Sequence, residues 1–326
     1  MEEPEEIAER LFTGDRAALA RLISWAENRD PRYPAVLALI YPRVGKAWRI
    51  GITGPPGAGK SSLTNELVRV IRARDERVSI LAIDPSSPFT GGALLGDRIR
   101  MEERTSDPGV YIRSMASRES HGGLARASSD ACDVMDAFGF DRILVETVGV
   151  GQAEYDVVSA TDTVVVVLCP GAGDGIQAMK AGLLEVADVL VVNKSDLDGA
   201  DRLVLDLEEA VNLRRPAAGD EREGWSVPVV ATSSLRSGTG VQGLEALLEA
   251  VDQHRSFQEQ GDLAHIRRQK RVAQVRRLIG ERLQEELWGP DGHTARVDSC
   301  LGKSMTPYDV AEEILADLLG SSPQTS

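Results

Sequence analysis

Apolar residues recur at helical spacing over the first forty positions, and then the period changes. Ile7, Leu11, Leu19, Leu22, Ile23 and Trp25 fall near a 3.6-residue repeat, which predicts helices. Pro31, Pro34 and Pro42 interrupt and restart them. From 48 to about 250, short β-branched runs alternate with longer amphipathic ones, the pattern of βαβ units on a parallel sheet. Strands are predicted over 48–53, 78–83, 110–113, 142–146, 163–169, 189–193 and 227–231. Several are apolar throughout, as strands covered on both faces are. A third pattern starts near 256. Leu263, Ile266, Val272, Val275, Leu278, Ile279, Leu283 and Leu287 form one stripe of a long helix over 262–288, which Gly289-Pro290 ends. A last short helix is expected over 307–319. The chain therefore reads as an N-terminal helical extension (1–46), an α/β domain (47–255) and a C-terminal helical region (256–326).

Composition narrows the function classes. The chain has 326 residues and 42% hydrophobic content, enough for a sizeable core. Aromatics make up only 4%, so that core is aliphatic. The net charge of −14 repels nucleic acid and anionic membrane, and neither is expected as a partner. Cys132, Cys169 and Cys300 are isolated, which argues against a disulfide framework or a zinc site. The acidic start "MEEPEEIAER" has no apolar signal core, and no apolar run is long enough to span a membrane. A cytoplasmic protein is expected.

The sharpest chemical signal is Gly54-Pro55-Pro56-Gly57-Ala58-Gly59-Lys60-Ser61, an unbroken G-x-x-x-x-G-K-[ST] between a predicted strand and a predicted helix. Glycines let backbone N–H groups close around phosphate oxygens, and the helix N-terminus adds partial positive charge. Lys60 is placed to reach the β- and γ-phosphates, the Ser61 hydroxyl to bind Mg²⁺, and Ser62 continues the loop into the helix.

This loop does not tell ATP from GTP, but "VLVVNKSD" does. Asn193-Lys194-Ser195-Asp196 follows an apolar strand. The Asp196 carboxylate only accepts, so it can take N1–H and the 2-amino protons of guanine together. Adenine would leave it unpaired. The Lys194 stem can lie over the base. Thr232, Ser233 and Ser234 follow another predicted strand, and their backbone N–H groups are expected to meet the guanine O6.

Three acids end or follow strands: Asp84, Asp97 and Glu146. Acids so placed beside a phosphate loop suit Mg²⁺, directly or through its water shell. Gly149 follows Glu146 by three positions and can sense a γ-phosphate through its N–H. Gln152 stands two positions beyond the usual water-orienting place. Gln177 and Lys180 lie three apart on one face of a helix that begins after a glycine-rich loop, and are preferred as the catalytic pair beside Lys60.

These residues together resemble the MeaB/ArgK/MMAA family of P-loop GTPases, chaperones of adenosylcobalamin-dependent acyl-CoA mutases. The segments that carry the resemblance are "GPPGAGKSSL", "DPSSPFTGGALLGDRIRM", "VETVGVGQAE", "CPGAGDGIQAMKAG", "ADVLVVNKSD" and "MTPYDVAEEIL". The resemblance runs from about 5 to 320. It implies a G domain with N-terminal helices and a C-terminal dimerisation arm, hence a homodimer. It implies Mg²⁺ among Ser61, Asp84, Asp97 and Glu146, and GTP held by 54–62, Asn193, Lys194, Asp196 and 232–234. It also implies switches at 84–104, 146–154 and 171–182, with Gln177 and Lys180 assisting hydrolysis once a mutase reorganises the third. The implied client is methylmalonyl-CoA mutase or a relative. GTP turnover would gate cofactor loading and the removal of damaged cobalamin.

"DGHTAR" at 291–296 begins like a cobalamin-binding loop, but Arg296 stands where that loop needs glycine. The cofactor then belongs to the partner, and this chain itself binds none. Two other classes share the P-loop. A kinase or ATPase of amino-acid transport is disfavoured by Asn193–Asp196. A nickel-type metal-delivery GTPase is disfavoured by four dispersed histidines and isolated cysteines.

Overall fold

The computed structural model describes residues 3–85, 107–117, 123–147, 159–171, 182–213, 224–233, 241–289, 294–301 and 305–318. Three helices open the chain: α1 (Pro4–Phe12), α2 (Arg16–Asn28) and α3 (Tyr33–Ile40). The first two start where local chemistry favours it. Pro4 lies in the first turn of α1, where a missing N–H costs nothing. Asp15 caps α2 by accepting from Ala17 N at 2.8 Å.

Then comes the alternating region: β1 (Trp48–Thr53), α4 (Lys60–Ala73), β2 (Val78–Pro85), β3 (Val110–Ser117), α5 (Gly123–Phe138), β4 (Arg142–Thr147) and β5 (Thr163–Leu168). It continues through α6 (Leu183–Val186), β6 (Val189–Val192), α7 (Ala200–Leu213), β7 (Val229–Ala231) and α8 (Leu244–Gln260). The seven strands form one sheet in the order β3-β2-β4-β1-β5-β6-β7, and every neighbouring pair is parallel. The α/β expectation therefore holds, with a P-loop sheet at its centre.

Burial follows strand periodicity. In β5, Val165 and Val167 face the layer of α4 and α8, while Val164, Val166 and Leu168 face α6 and α7. In β4, Ile143 and Val145 pack toward α5 and the N-terminal helices, and Leu144 toward the opposite layer. The apolar faces of α1–α3 are thereby part of the sheet's own core. One compact unit accordingly spans Met1–Arg267.

The second and third strands prove longer than their predicted apolar runs, and the last shorter. β2 and β3 pair on through Asp84↔Ala116 and Pro85↔Ser117, beyond their apolar residues. β7 starts only at Val229, because Pro228 has no N–H to give. The Pro228 carbonyl still accepts from Leu190 N at 2.9 Å.

A charged cluster is buried at the N-terminal edge of the sheet. Arg49 of β1 donates to Asp133 at 2.7 Å and to Asp136 at 3.2 Å, both on α5. Asp136 also accepts the backbone N–H groups of Gly45, Lys46 and Ala47 at 2.8, 3.1 and 3.0 Å. Burial opposes the charge on Arg49, but the fields of Asp133, Asp162 and Asp136 outweigh it and hold the guanidinium above its ordinary pKa. Removing one partner from such a set leaves the other charges stranded in a low dielectric. Arg49→Ala should therefore cost about 3–5 kcal/mol of stability and lower the melting temperature by roughly 10 °C. A scanning melt that moves by less than about 2 °C would contradict this expectation.

The second unit spans Arg268–Ser326. It contains most of α9 (Leu263–Trp288), then α10 (Thr294–Leu301) and α11 (Pro307–Leu318). Cys300, Val310 and Ile314 form a small core there, with Leu287, Val297 and Met305 against it. α11 begins on a capping pair: Thr306 Oγ1 donates to Asp309 Oδ2 at 2.7 Å and accepts from Asp309 N at 3.3 Å. α10 was not expected from the sequence pattern.

Candidate nucleotide site

β1 lies between β4 and β5 at the centre of the sheet, where successive connections leave in opposite directions. Ligands of open parallel sheets bind at such a point, beyond the carboxyl ends of the strands. The phosphate loop leaves β1 there and runs into α4. Gly59 has a φ of 89°, and a Cβ on it would lie 2.4 Å from Asn193 Nδ2. Only glycine fits this approach.

The side chains around the loop interlock. Lys60 is buried, and its Nζ donates to Gly54 O at 2.8 Å and Pro55 O at 3.0 Å. The ammonium thus sits over the concave side of the loop, where it would meet phosphate oxygens. Asn193 is fully buried and donates from Nδ2 to Ala58 O at 2.8 Å. The Lys194 ammonium donates to Gly57 O at 2.7 Å. Lys194 has a φ of 57°, a left-handed conformation uncommon for a non-glycine residue. Such strain persists where surrounding contacts fix it, as Asn193 and Lys194 are fixed here. The phosphate loop and the turn expected to read the base are thus one connected body.

Behind that turn stands the end of β7. Thr232 Oγ1 donates to Asn193 Oδ1 at 3.2 Å, which orients the amide so that Nδ2 faces the loop. Ser233 is buried, and its hydroxyl donates to Asp196 Oδ1 at 2.8 Å. These hydroxyl contacts were not foreseen, and for Thr232 and Ser233 they differ from the backbone role expected of 232–234. Thr232 N–H is given to Val192 O at 2.8 Å and Ser233 N–H to Gln242 O at 3.1 Å. Neither backbone donor is therefore directed at a guanine O6. Both residues touch the 193–196 turn through their hydroxyls.

At the carboxyl end of β4, Ser61 Oγ donates to Glu146 Oε1 at 2.5 Å. Glu146 is buried and is paired in register with Ile52 of β1 and Ala82 of β2. Asp84 lies two residues further along β2, at the same edge of the sheet. A hydroxyl and a carboxylate this close form a hard oxygen donor pair, the kind that Mg²⁺ prefers. The residues present thus fit a magnesium ion. Asp97, Gly149, Gln152, Gln177, Lys180 and Ser234 lie outside the described residues, as does most of each predicted switch.

Comparison with known proteins decides the family. The family model described as "Methylmalonyl Co-A mutase-associated GTPase MeaB" matches residues 19–291. The chain belongs to the MeaB family. A Pyrococcus horikoshii relative with a provisional GTPase name is 44% identical over 322 residues, 98% of this chain and 100% of its own. The GTPase ArgK of Escherichia coli is 33% identical over 291 residues, 87% of this chain and 86% of its own. The mouse methylmalonic aciduria type A homolog, described as mitochondrial, is 35% identical and covers 86% of this chain and 71% of its own. Among solved structures, the crystal structure of LAO/AO transport system kinase is 27% identical, with a TM-score of 0.70 and 98% coverage of both chains. Membership in the MeaB family makes this chain a P-loop GTPase. The turn at 193–196 is consistent with that assignment.

Proposed function

We propose that this protein is a GTP-hydrolysing chaperone that gates adenosylcobalamin loading and repair in an acyl-CoA mutase, methylmalonyl-CoA mutase or a relative. The match to a mutase-associated family model across 19–291 carries the reading. The site supports its chemistry. The α4 N-terminus and Lys60 bind and neutralise the phosphates. Ser61 and Glu146, together with Asp84 at the end of the neighbouring strand β2 and Asp97 of the expected first switch, would hold Mg²⁺. Mg²⁺ held there would supply positive charge that neutralises the phosphates. Asp196 selects guanine, and the Lys194 stem covers the base. Gln177 and Lys180 assist hydrolysis in a segment that the mutase reorganises.

A homodimer built on α9 belongs to the same proposal. Val275 and Ile279 are 53% and 55% exposed, with Val272, Leu278 and Leu283 beside them on that helix. An apolar stripe of this length is costly to leave in water and suits a second copy. No described helix is long and apolar enough to cross a membrane, and we place the protein in the cytoplasm. That the solved relative is described as a transport system kinase raises a second reading, in which ATP is the nucleotide. The Asn193–Asp196 turn favours guanine over it.

The test is turnover measured with and without a partner. GTP hydrolysis should rise at least about tenfold when an adenosylcobalamin-dependent acyl-CoA mutase is added, as expected when a partner completes a catalytic constellation. GTP turnover that no such mutase alters would refute the chaperone reading.

A further inference from the structure

The contacts behind the base-reading turn carry one inference further. It rests on the reading of Asp196 as the guanine selector. Gly243 stands immediately before α8, with a φ of 74° and a ψ of −2°. The place where its Cβ would sit is already taken. Ala231 O would lie 2.0 Å from it and Thr232 Cα 3.1 Å. Both are backbone atoms, so no side-chain rotamer can relieve the overlap. Asparagine tolerates the left-handed conformation but brings the same Cβ. The start of α8 therefore rests directly on the backbone at the end of β7.

That stretch of backbone orders the turn in front of it. Thr232 gives its N–H to Val192 O at 2.8 Å and takes the N–H of Ser195 at 3.0 Å. One residue on, Ser233 and Gln242 exchange backbone hydrogen bonds of 3.1 and 3.0 Å, an isolated antiparallel bridge. Ser233 then aims its hydroxyl at Asp196. Residues 231–233 are thus clamped, with β6 and its turn on one side and residues 242–243 on the other. A methyl at 243 has to push 231–232 away from α8. The displacement passes to Ser233 Oγ and from there to the carboxylate it holds.

We infer that Gly243 and Ser233 are specificity-positioning residues for guanine. Gly243 sets the depth at which the end of β7 sits, and Ser233 transmits that position to Asp196. Asp196 is exposed, so its carboxylate would otherwise be free to rotate. The Ser233 hydroxyl fixes one oxygen, and the other is then presented in a defined direction.

The experiment compares affinities for GTP and ITP, by displacement of a fluorescent GDP analogue from the full-length chain. Inosine lacks the 2-amino group that Asp196 would accept from. The GTP-over-ITP ratio therefore reports the position of the carboxylate, whereas general destabilisation weakens both nucleotides alike. Gly243→Ala should lower this ratio by about tenfold, the size of one charge-assisted hydrogen bond. Ser233→Ala should lower it by about threefold or more, and Ser233→Thr, which keeps the hydroxyl, should restore most of it. The double variant should fall no further than Gly243→Ala alone, because both act through the same carboxylate. Circular dichroism checks folding. If Gly243→Ala does not fold, Ser233→Ala decides, since it leaves the backbone untouched. A wild-type ratio in Ser233→Ala, or in a folded Gly243→Ala, overturns the inference. Asp196→Ala separates the two levels. If it too keeps the wild-type ratio, the base reading itself fails. If it collapses the ratio while the other two do not, only the clamp fails.

Discussion

Lys60→Ala is expected to reduce GTP turnover at saturating nucleotide by about 100- to 1,000-fold, the loss seen when one preorganised donor to developing charge is removed. The side chain is buried above the loop and held by Gly54 O and Pro55 O, so its ammonium is placed before any phosphate arrives. Preorganisation of this kind matters most where charge builds in the transition state, since no reorientation is then needed. Lys60→Arg should rescue little. A planar guanidinium is larger than an ammonium and cannot occupy the same point between two carbonyl groups. Phosphate release under saturating GTP checks both variants, with nucleotide binding measured alongside. Turnover within about twofold of wild type in Lys60→Ala would remove the phosphate loop from the chemistry.

The sheet was legible because its strands are covered on both faces. A run such as 164–168 must be apolar throughout when α4 and α8 lie on one side and α6 and α7 on the other. The strand ends were less legible. Asp84 and Ser117 continue β2 and β3 through backbone pairing alone, and side-chain polarity does not report that. The charged cluster was hidden for a related reason. Asp130, Asp133 and Asp136 recur every three residues along α5, which by pattern alone reads as a solvated face. All three are buried, and Arg49 and the 45–47 backbone supply the charge and donors for Asp133 and Asp136. α10 is only eight residues long and follows no strong apolar period, so its helicity depends on packing near Cys300.

The phosphate loop and the guanine-reading turn were legible because the ligand dictates their residue types. Phosphate demands glycine, lysine and a hydroxyl at fixed spacing, and guanine demands an acceptor pair. What supports these residues was not legible. Thr232 lies 39 residues from Asn193, and Ser233 lies 37 from Asp196. Only the β6–β7 pairing brings them together. Sequence position suggested that backbone N–H groups at 232 and 233 serve the base. The fold commits them to Val192 and Gln242 and leaves the hydroxyls for the turn.

The largest effect on specificity is expected at Asp196. Asp196→Asn keeps size and shape but replaces one accepting oxygen with an N–H donor. Guanine presents a 2-amino donor to that atom, and two donors then face each other. Xanthine presents a carbonyl oxygen at the same position and matches the amide. An unpaired polar group in a desolvated contact costs about 1–3 kcal/mol, and more when charged. The variant should therefore lose about 100-fold or more in GTP affinity and gain a comparable preference for XTP. Ser233 can still donate to the carbonyl oxygen of the amide that this substitution introduces, so the side chain keeps its direction.

The most direct test of this protein as a guanine-reading switch is the ratio of GTP to XTP dissociation constants in wild type and in Asp196→Asn. The account predicts a strong GTP preference in the wild type that inverts in the variant. A variant that still prefers GTP, or a wild type that binds XTP as well as GTP, would contradict it.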